Sequence, residues 1–266
     1  MKQPAEPFYD QAASRYDRRK ADRVGARIWL DVVLEAIEYL PLGPKPWRVL
    51  DAGGGTGRVG VPLAERGHEV AITDVSAKML QIAQDKADQA GVANRVNTVK
   101  ADICDLSELA DDRFDLALAL GDPLSYCTDA ARGLTELHRV TRKGGMLFAE
   151  VENRFTAGRP GVRRGSGWTE LHKVLGTGQA TMPDAPDFHI RMFEPTELHL
   201  LLQEIGWRPV HTMPGNLLWA LLGDEVLQEA RDDPQQFAEM LATEKKLRAC
   251  RDLWGAGADI QVLACK

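Results

Sequence analysis

The stretch Val49-Leu50-Asp51-Ala52-Gly53-Gly54-Gly55-Thr56-Gly57 constrains this chain more than any other. A short apolar run ends on an acid, a glycine cluster follows, and a helix is expected to start around Thr56 or Gly57. Glycines serve two needs here. The turn can demand positive φ, which L side chains resist, and a flat ligand can approach the backbone without meeting a Cβ. A strand, a glycine turn and a helix in this order open a doubly wound sheet, in which ligands bind beyond the carboxyl ends of the strands.

The rest of the chain is read against that start. Residues 8–40 read as helical: Ile28, Val32, Val33, Ala36, Ile37 and Leu40 recur at helical spacing, and Pro41, Gly43, Pro44 and Pro46 end the run. Residues 69–74 form a strand ending on Asp74. A helix over 76–90 follows, with Met79, Ile82, Ala83 and Ala87 on one face beside Val75. Residues 95–100 form a third strand. Phe114 to Leu120 is nearly all apolar, as suits a strand buried on both faces. A helix over roughly 129–141 turns at Gly144-Gly145 into a strand over 146–151. Alternating strands and helices predict a parallel sheet with right-handed crossovers. Chemistry is therefore expected just after Asp51, Asp74, Ala101, Leu120 and Val151.

Composition narrows the class. The 266 residues suit one domain, and 44% hydrophobic with 27% charged residues fits a globular chain and not a disordered one. The net charge of −6 argues against a general nucleic-acid binder, which needs basic surplus to displace counterions. Cys104, Cys127, Cys250 and Cys265 match no zinc spacing, so no metal is expected. No window is apolar over the ~18–20 residues of a membrane helix. The first residues lack the apolar run of a secretory signal. A cytoplasmic enzyme with no membrane partner is the expectation.

A dinucleotide is one candidate for the glycine loop. Gly55-Thr56-Gly57-Arg58-Val59-Gly60 fits G-x-G-x-x-G, but the residues before it, Asp51 to Gly54, cannot be a strand core. Starting at Gly53 instead puts Arg58 where the third glycine belongs.

Asp51-Ala52-Gly53-Gly54-Gly55-Thr56-Gly57 resembles motif I, (D/E)-x-G-x-G-x-G, of the class I S-adenosylmethionine-dependent methyltransferases. The resemblance extends over roughly 45–151, 193–212 and 258–266. It implies S-adenosylmethionine as cofactor, held at Asp51, Gly53, Gly55 and Gly57. Asp74 matches the family acid on the ribose hydroxyls, Asp102 the acid on the adenine amino group, and Ile103 the apolar residue against the ring. Leu120 begins the segment beside the adenosyl and methionine portions, and Val75 and Met79 lie at positions under the cofactor. Leu137 to Gly145 is similar to the family passage L-x-R-V-L-K-P-G-G without its proline, and Phe193 to Trp207 resembles the last helix before strand six. Ile260 to Cys265 is then strand seven, antiparallel, between strands five and six. The implied fold is a Rossmann-like α/β domain: a seven-stranded sheet, mostly parallel, with helices on both faces, an N-terminal helical lid over 1–44 and an insertion cap. Its core covers 45–151, the cap 152–192, and 193–266 completes the core with a helical insertion at about 223–252. Three of these residues also have a plainer reading. Asp51 can cap a helix start, Asp102 can serve a turn, and Met79 can be core.

Tyr16, on an N-terminal helix of the kind that folds over the cofactor in this family, is a candidate for the sulfonium, since cations are drawn to aromatic faces. The alternative is that this helix packs its aromatics on the core. Trp168 to Leu175 and Phe188 to Phe193 are expected to pair as antiparallel strands. Arg154, Arg159, Arg163, Arg164 and Lys173 face few acids, so Arg154 and Arg191 are candidates for an acidic or phosphorylated substrate. Asp122, Tyr126 and His189 are candidate catalytic groups, and Asp122 and Tyr126 also substrate-binding candidates. Leu241, Leu247, Leu253 and Trp254 are expected in the cap or in a homodimer surface. The function expected is methyl transfer to oxygen or nitrogen of a small molecule. Methylation of RNA or protein, and a non-catalytic cofactor-binding protein, are the alternatives.

Overall fold

The computed structural model describes residues 5–156, 167–182 and 185–266. In chain order the elements are α1 (Ala5–Ala21), α2 (Val24–Glu38), β1 (Arg48–Ala52), α3 (Gly60–Glu65), β2 (Glu69–Asp74), α4 (Ala77–Gln89), β3 (Val96–Lys100), β4 (Phe114–Ala119), α5 (Pro123–Tyr126), α6 (Ala130–Val140) and β5 (Thr141–Glu152). After these come α7 (Gly167–Thr177), β6 (Gln179–Met182), β7 (Ala185–Arg191), α8 (Pro195–Ile205), β8 (Arg208–Gly215), α9 (Leu217–Leu222), α10 (Asp224–Gln228), α11 (Pro234–Arg248) and β9 (Asp259–Cys265).

Seven strands form one sheet in the order β3-β2-β1-β4-β5-β9-β8. The pairs from β3 through β5 are parallel, and β9 runs antiparallel between β5 and β8. The order reverses between β1 and β4, so a crevice opens at their carboxyl ends. Two apolar layers cover the faces. Leu134, Leu137 and Val140 of α6 join Leu198 and Leu202 of α8 on one side. Val33 and Ile37 of α2 join Leu80 and Ala83 of α4 on the other. The strands between them, such as Leu116 to Ala119, are wholly buried.

Four expectations change. The first helical run is two helices, because Arg23 is extended and starts a second one at Val24. The fifth strand begins at Thr141, ahead of Gly144-Gly145, through an irregular register against β4. The cap is not a pair of strands from Trp168 and Phe188. Residues 167–177 are a helix, Gly178 turns the chain with φ of 67°, and the pairing is between β6 and β7. The helix presents one side, Val174, to Ile190 and Met192 while Leu175 and Trp168 stay exposed, which alternation cannot do. Lastly, Leu241 and Leu247 do not line the cap. With Phe237 they pack on Val24, Ile28 and Val32 of α2. Trp254 sits beside His199 under the Arg251 guanidinium. Arg159, Arg163 and Arg164 lie outside the described residues. Among the described residues no helix is long and apolar enough to cross a membrane.

Candidate functional site

A cavity of about 1050 Å³ lies over the switch point. Its floor is the carboxyl ends of β1, β2, β4 and β5 with the amino end of the antiparallel β9, and α1 roofs it. One wall is the glycine loop. Gly55, at φ of 55°, faces the cavity, and a Cβ there would meet nothing nearer than Asp74 Oδ2 at 3.9 Å. The missing side chain is thus open room at the ligand surface. Gly53 lines the cavity too, but Gly57 does not. A Cβ on Gly57 would strike Val61 at 2.9 Å and Ala83 at 3.1 Å, so this glycine serves helix packing behind the loop and not ligand contact.

Asp51 is almost fully buried, and its Oδ2 accepts from the Gly60 backbone N–H at 3.0 Å. It ties down the entry to α3 and also lines the cavity. Burial pushes its carboxyl up to about 7. Asp74 ends β2. Its Oδ2 accepts from Gly55 N at 3.0 Å and its Oδ1 from Ser76 N at 2.8 Å, so backbone donors aim the carboxylate. Burial pushes it up to about 6. Val75, Asp102, Ile103 and Leu120 line the same cavity. Asp102 also accepts from Cys104 N at 2.8 Å in a turn. Met79 lines the cavity and packs under α1 with Ala12, Ala13 and Tyr16.

The roof is fastened. Ser76 Oγ donates to Asp10 at 2.5 Å, and Thr56 Oγ1 donates to Asp17 at 2.6 Å. Lys86 pairs with Asp17 at 2.7 Å, and Lys100 with Glu6 at 2.7 Å. Two of these latches hold residues of the glycine loop and of the turn after β2. Tyr16 faces the cavity beside Met79, so it both packs and lines.

The far half of the cavity is acidic. Asp122 follows β4 in a left-handed conformation, is 8% exposed, and its Oδ1 has no hydrogen-bond partner. Burial first, then Asp259, Glu152 and Glu150, hold its carboxyl well above the usual range. Tyr126 donates its phenol to Glu152 at 2.7 Å, and burial keeps that phenol protonated. Asp122 and Tyr126 thus meet in one place, as the sequence suggested.

His189, Arg154 and Arg191 do not join them. His189 is exposed over a separate depression of about 470 Å³. Arg154 is buried and committed to Glu194 at 2.8 Å and Glu197 at 2.6 Å, fixing the cap to the start of α8. Arg191 pairs with Glu197 as well and lies over the Phe193 ring. Both guanidiniums are neutralised by local carboxylates and neither lines the main cavity, so the expected anion site in the cap is absent among the described residues.

Sequence reading missed Glu150, Glu152 and Asp259, which all line the cavity, and Trp29, whose indole N–H donates to Glu150 at 2.8 Å. The signal was present in part. Two acids interrupt an apolar strand at its carboxyl end, where ligand chemistry was expected.

The comparisons agree with this geometry. Residues 49–145 match the methyltransferase domain family. The chain is 29% identical over 214 residues, 75% of each protein, to the tRNA 5-carboxymethoxyuridine methyltransferase of Escherichia coli O157:H7. It is 33% identical over 146 residues to the ubiquinone/menaquinone biosynthesis C-methyltransferase of Geotalea daltonii, covering 53% of this chain and 59% of that one. A SAM-dependent methyltransferase structure from Thermotoga maritima superposes with a TM-score of 0.57 at 19% identity, over 97% of this chain and 98% of that one. The loop fits S-adenosylmethionine: open backbone at Gly55, an aimed carboxylate at Asp74, and apolar Ile103 and Leu120 for a ring. With the motif, the sheet order and the family match in agreement, the chain belongs to the class I S-adenosylmethionine-dependent methyltransferases.

Proposed function

We propose that this methyltransferase acts on a small molecule, at oxygen or nitrogen, inside the roofed cavity. The observation that carries the reading is the row of carboxylates in the half away from Asp74: Asp122, Glu150 and Asp259, which are buried, and Glu152, which is half-buried. A polyphosphate chain entering there would meet like charge at low dielectric, whereas a small neutral or cationic acceptor would not.

In this reading Asp74 accepts from both ribose hydroxyls, since an ionised acceptor makes the stronger bonds. Gly53 and Gly55 let the backbone approach the amino-acid arm. Asp102 takes the adenine amino group, with Ile103 and Leu120 against the ring. Val75 and Met79 close the space below, and Tyr16 offers its face to the sulfonium. Bound S-adenosylmethionine supplies an activated methyl group with its own neutral leaving group. The chain therefore has to orient the two reactants and exclude water, and orientation alone can supply ~7–11 kcal/mol. The latched α1 does the excluding. An acceptor that must lose a proton needs a base, worth ~10²–10⁴-fold, and Asp122 is the group positioned for it.

Incubation of the enzyme with methyl-labelled cofactor and fractionated small metabolites, beside an equal arm with transfer RNA, tests this. Label in a small-molecule fraction supports the reading; label only in RNA overturns it. The RNA alternative has its own support. The Escherichia coli relatives act on tRNA, and Arg15, Arg19, Lys20 and Arg23 follow one another along the roof.

A further inference from the structure

The four acids are arranged in a way that folding alone does not favour. Glu152 and Asp259 are register partners across β5 and β9, and Glu150 lies opposite Gln261 in the same ladder. Like charges directly opposite each other in an antiparallel pair are destabilising, and burial raises the cost. Their partners are neutral donors. Glu150 accepts from Trp29, from Gly121 N at 3.2 Å and from Gln261. Glu152 accepts from Tyr126, and Asp259 from Asn216 at 2.5 Å. Among the ion pairs of the described residues, none joins any of the four to a Lys, Arg or His. Asp122, nine-tenths buried and facing the cavity, keeps an oxygen with no partner at all.

Lys20 on the roof of the same cavity acts on Asp122, Glu152 and Asp259 through space without pairing with any of them, so one positive charge faces four acids; such a cluster can take a further cation, and three features say which kind. Among the described residues no acids are grouped closely enough to hold a metal ion. Aromatic rings line the cavity with the carboxylates: Trp29 and Tyr126 bond to two of them, and Tyr9 lies 6.5 Å from Tyr126, centroid to centroid. Rings and carboxylates together suit an organic ammonium group. Third, Asp259 is four strand positions from Asp74, roughly 19 Å at the usual interstrand spacing, so the outer acids stand at the opposite end of the cavity from the carboxylate that β2 presents.

Resting on the small-molecule reading above, we propose that the methyl acceptor is an amine, bound as its ammonium by Asp122, Glu152 and Asp259 among Tyr9, Tyr126 and Trp29, and methylated on nitrogen. The ammonium first gives one proton to the Asp122 carboxylate and becomes the free amine. Its nitrogen lone pair then forms a bond to the methyl carbon as the carbon–sulfur bond breaks, and sulfur keeps that electron pair as a neutral thioether. The product leaves as the methylated ammonium, and Asp122 releases its proton to water. The raised carboxyl of Asp122 suits it to take and hold that proton.

The test is calorimetry on the full chain saturated with S-adenosylhomocysteine, with tryptophan fluorescence as a second readout of Trp29. Two matched series are titrated: phenethylamine, phenethyl alcohol and hydrocinnamate, then hexylamine, hexanol and hexanoate. At least one amine should bind about tenfold or more tighter than its alcohol, with its carboxylate weaker still. Glu152→Gln and Asp259→Asn should each weaken that amine about tenfold and leave the affinity for S-adenosylhomocysteine unchanged. Amine and alcohol binding alike, a preference for the carboxylate, or no binding in either series would overturn the proposal. So would a matching loss of S-adenosylhomocysteine in both variants, which would assign the acids to the donor. The wild-type series stands even if a variant misfolds. Binding and methylation of the alcohol or carboxylate would end the amine inference alone, whereas silence in both series with label transferred to RNA would end the small-molecule reading with it.

Discussion

The two halves of the cavity use carboxylates in opposite ways. On the β1–β2 side, Asp51 and Asp74 are answered by backbone N–H groups of Gly55 and Gly60, in and just after the glycine loop, and of Ser76, just after β2. On the β5–β9 side, Glu152 and Asp259 face each other from strands more than a hundred residues apart and receive only neutral side-chain donors. The first half is finished by its own backbone. The second keeps an electrostatic deficit that a ligand can fill.

Three perturbations sharpen the contrast. The largest effect is expected from Gly55→Val. It places a β-branched residue at positive φ, which costs about 1–2 kcal/mol, and fills the room left for the ligand. Binding of S-adenosylhomocysteine should weaken by about a hundredfold or more in calorimetry, while Glu152→Gln leaves it intact; equal effects would erase the distinction. Next is Arg154→Ala. Removing the guanidinium strands Glu194 and Glu197, which are about a third exposed, so the loss should be nearer ~2 kcal/mol than the 3–5 of a fully buried pair. Denaturant unfolding should show it with cofactor affinity unchanged; a large fall in cofactor affinity would return Arg154 to the site. The smallest effect is in pH dependence. Asp51 at about 7 and Asp74 at about 6 hold protons that the unfolded chain gives up near pH 4. Stability from these groups is full below that value and is lost as pH rises through 6 and 7. The melting temperature of the ligand-free protein should therefore drift down between pH 5 and 8, and Asp122→Asn should flatten the drift by removing a third raised acid. A rising curve would contradict this electrostatic account.

The same division explains what the sequence disclosed. The donor side is written in contiguous residues: an apolar strand, an acid, glycines, and a second strand ending on an acid. Asp51, Asp74, Ile103 and Leu120 could be placed from spacing and family resemblance because strand ends fix their positions. The acceptor side is made by β9 entering between β5 and β8, and no local pattern announces that Asp259 will face Glu152. Arg154 and Arg191 misled for a related reason. Their neutralising partner, Glu197, lies on the next helix and not within the arginine-rich segment itself. The cap was misread as strands because Val174, Ile190 and Met192 form its small core only after Gly178 reverses the chain.

One earlier feature sets a kinetic boundary. The roof helix is pinned to Thr56 and Ser76, which belong to the glycine loop and to the turn after β2, so loosening it would disturb both walls of the cavity together. Because two of the clasps are partly exposed charge pairs, added electrolyte should weaken them and quicken exchange of whatever ligand the cavity holds, an effect that stopped-flow measurement of S-adenosylhomocysteine release against salt concentration reads.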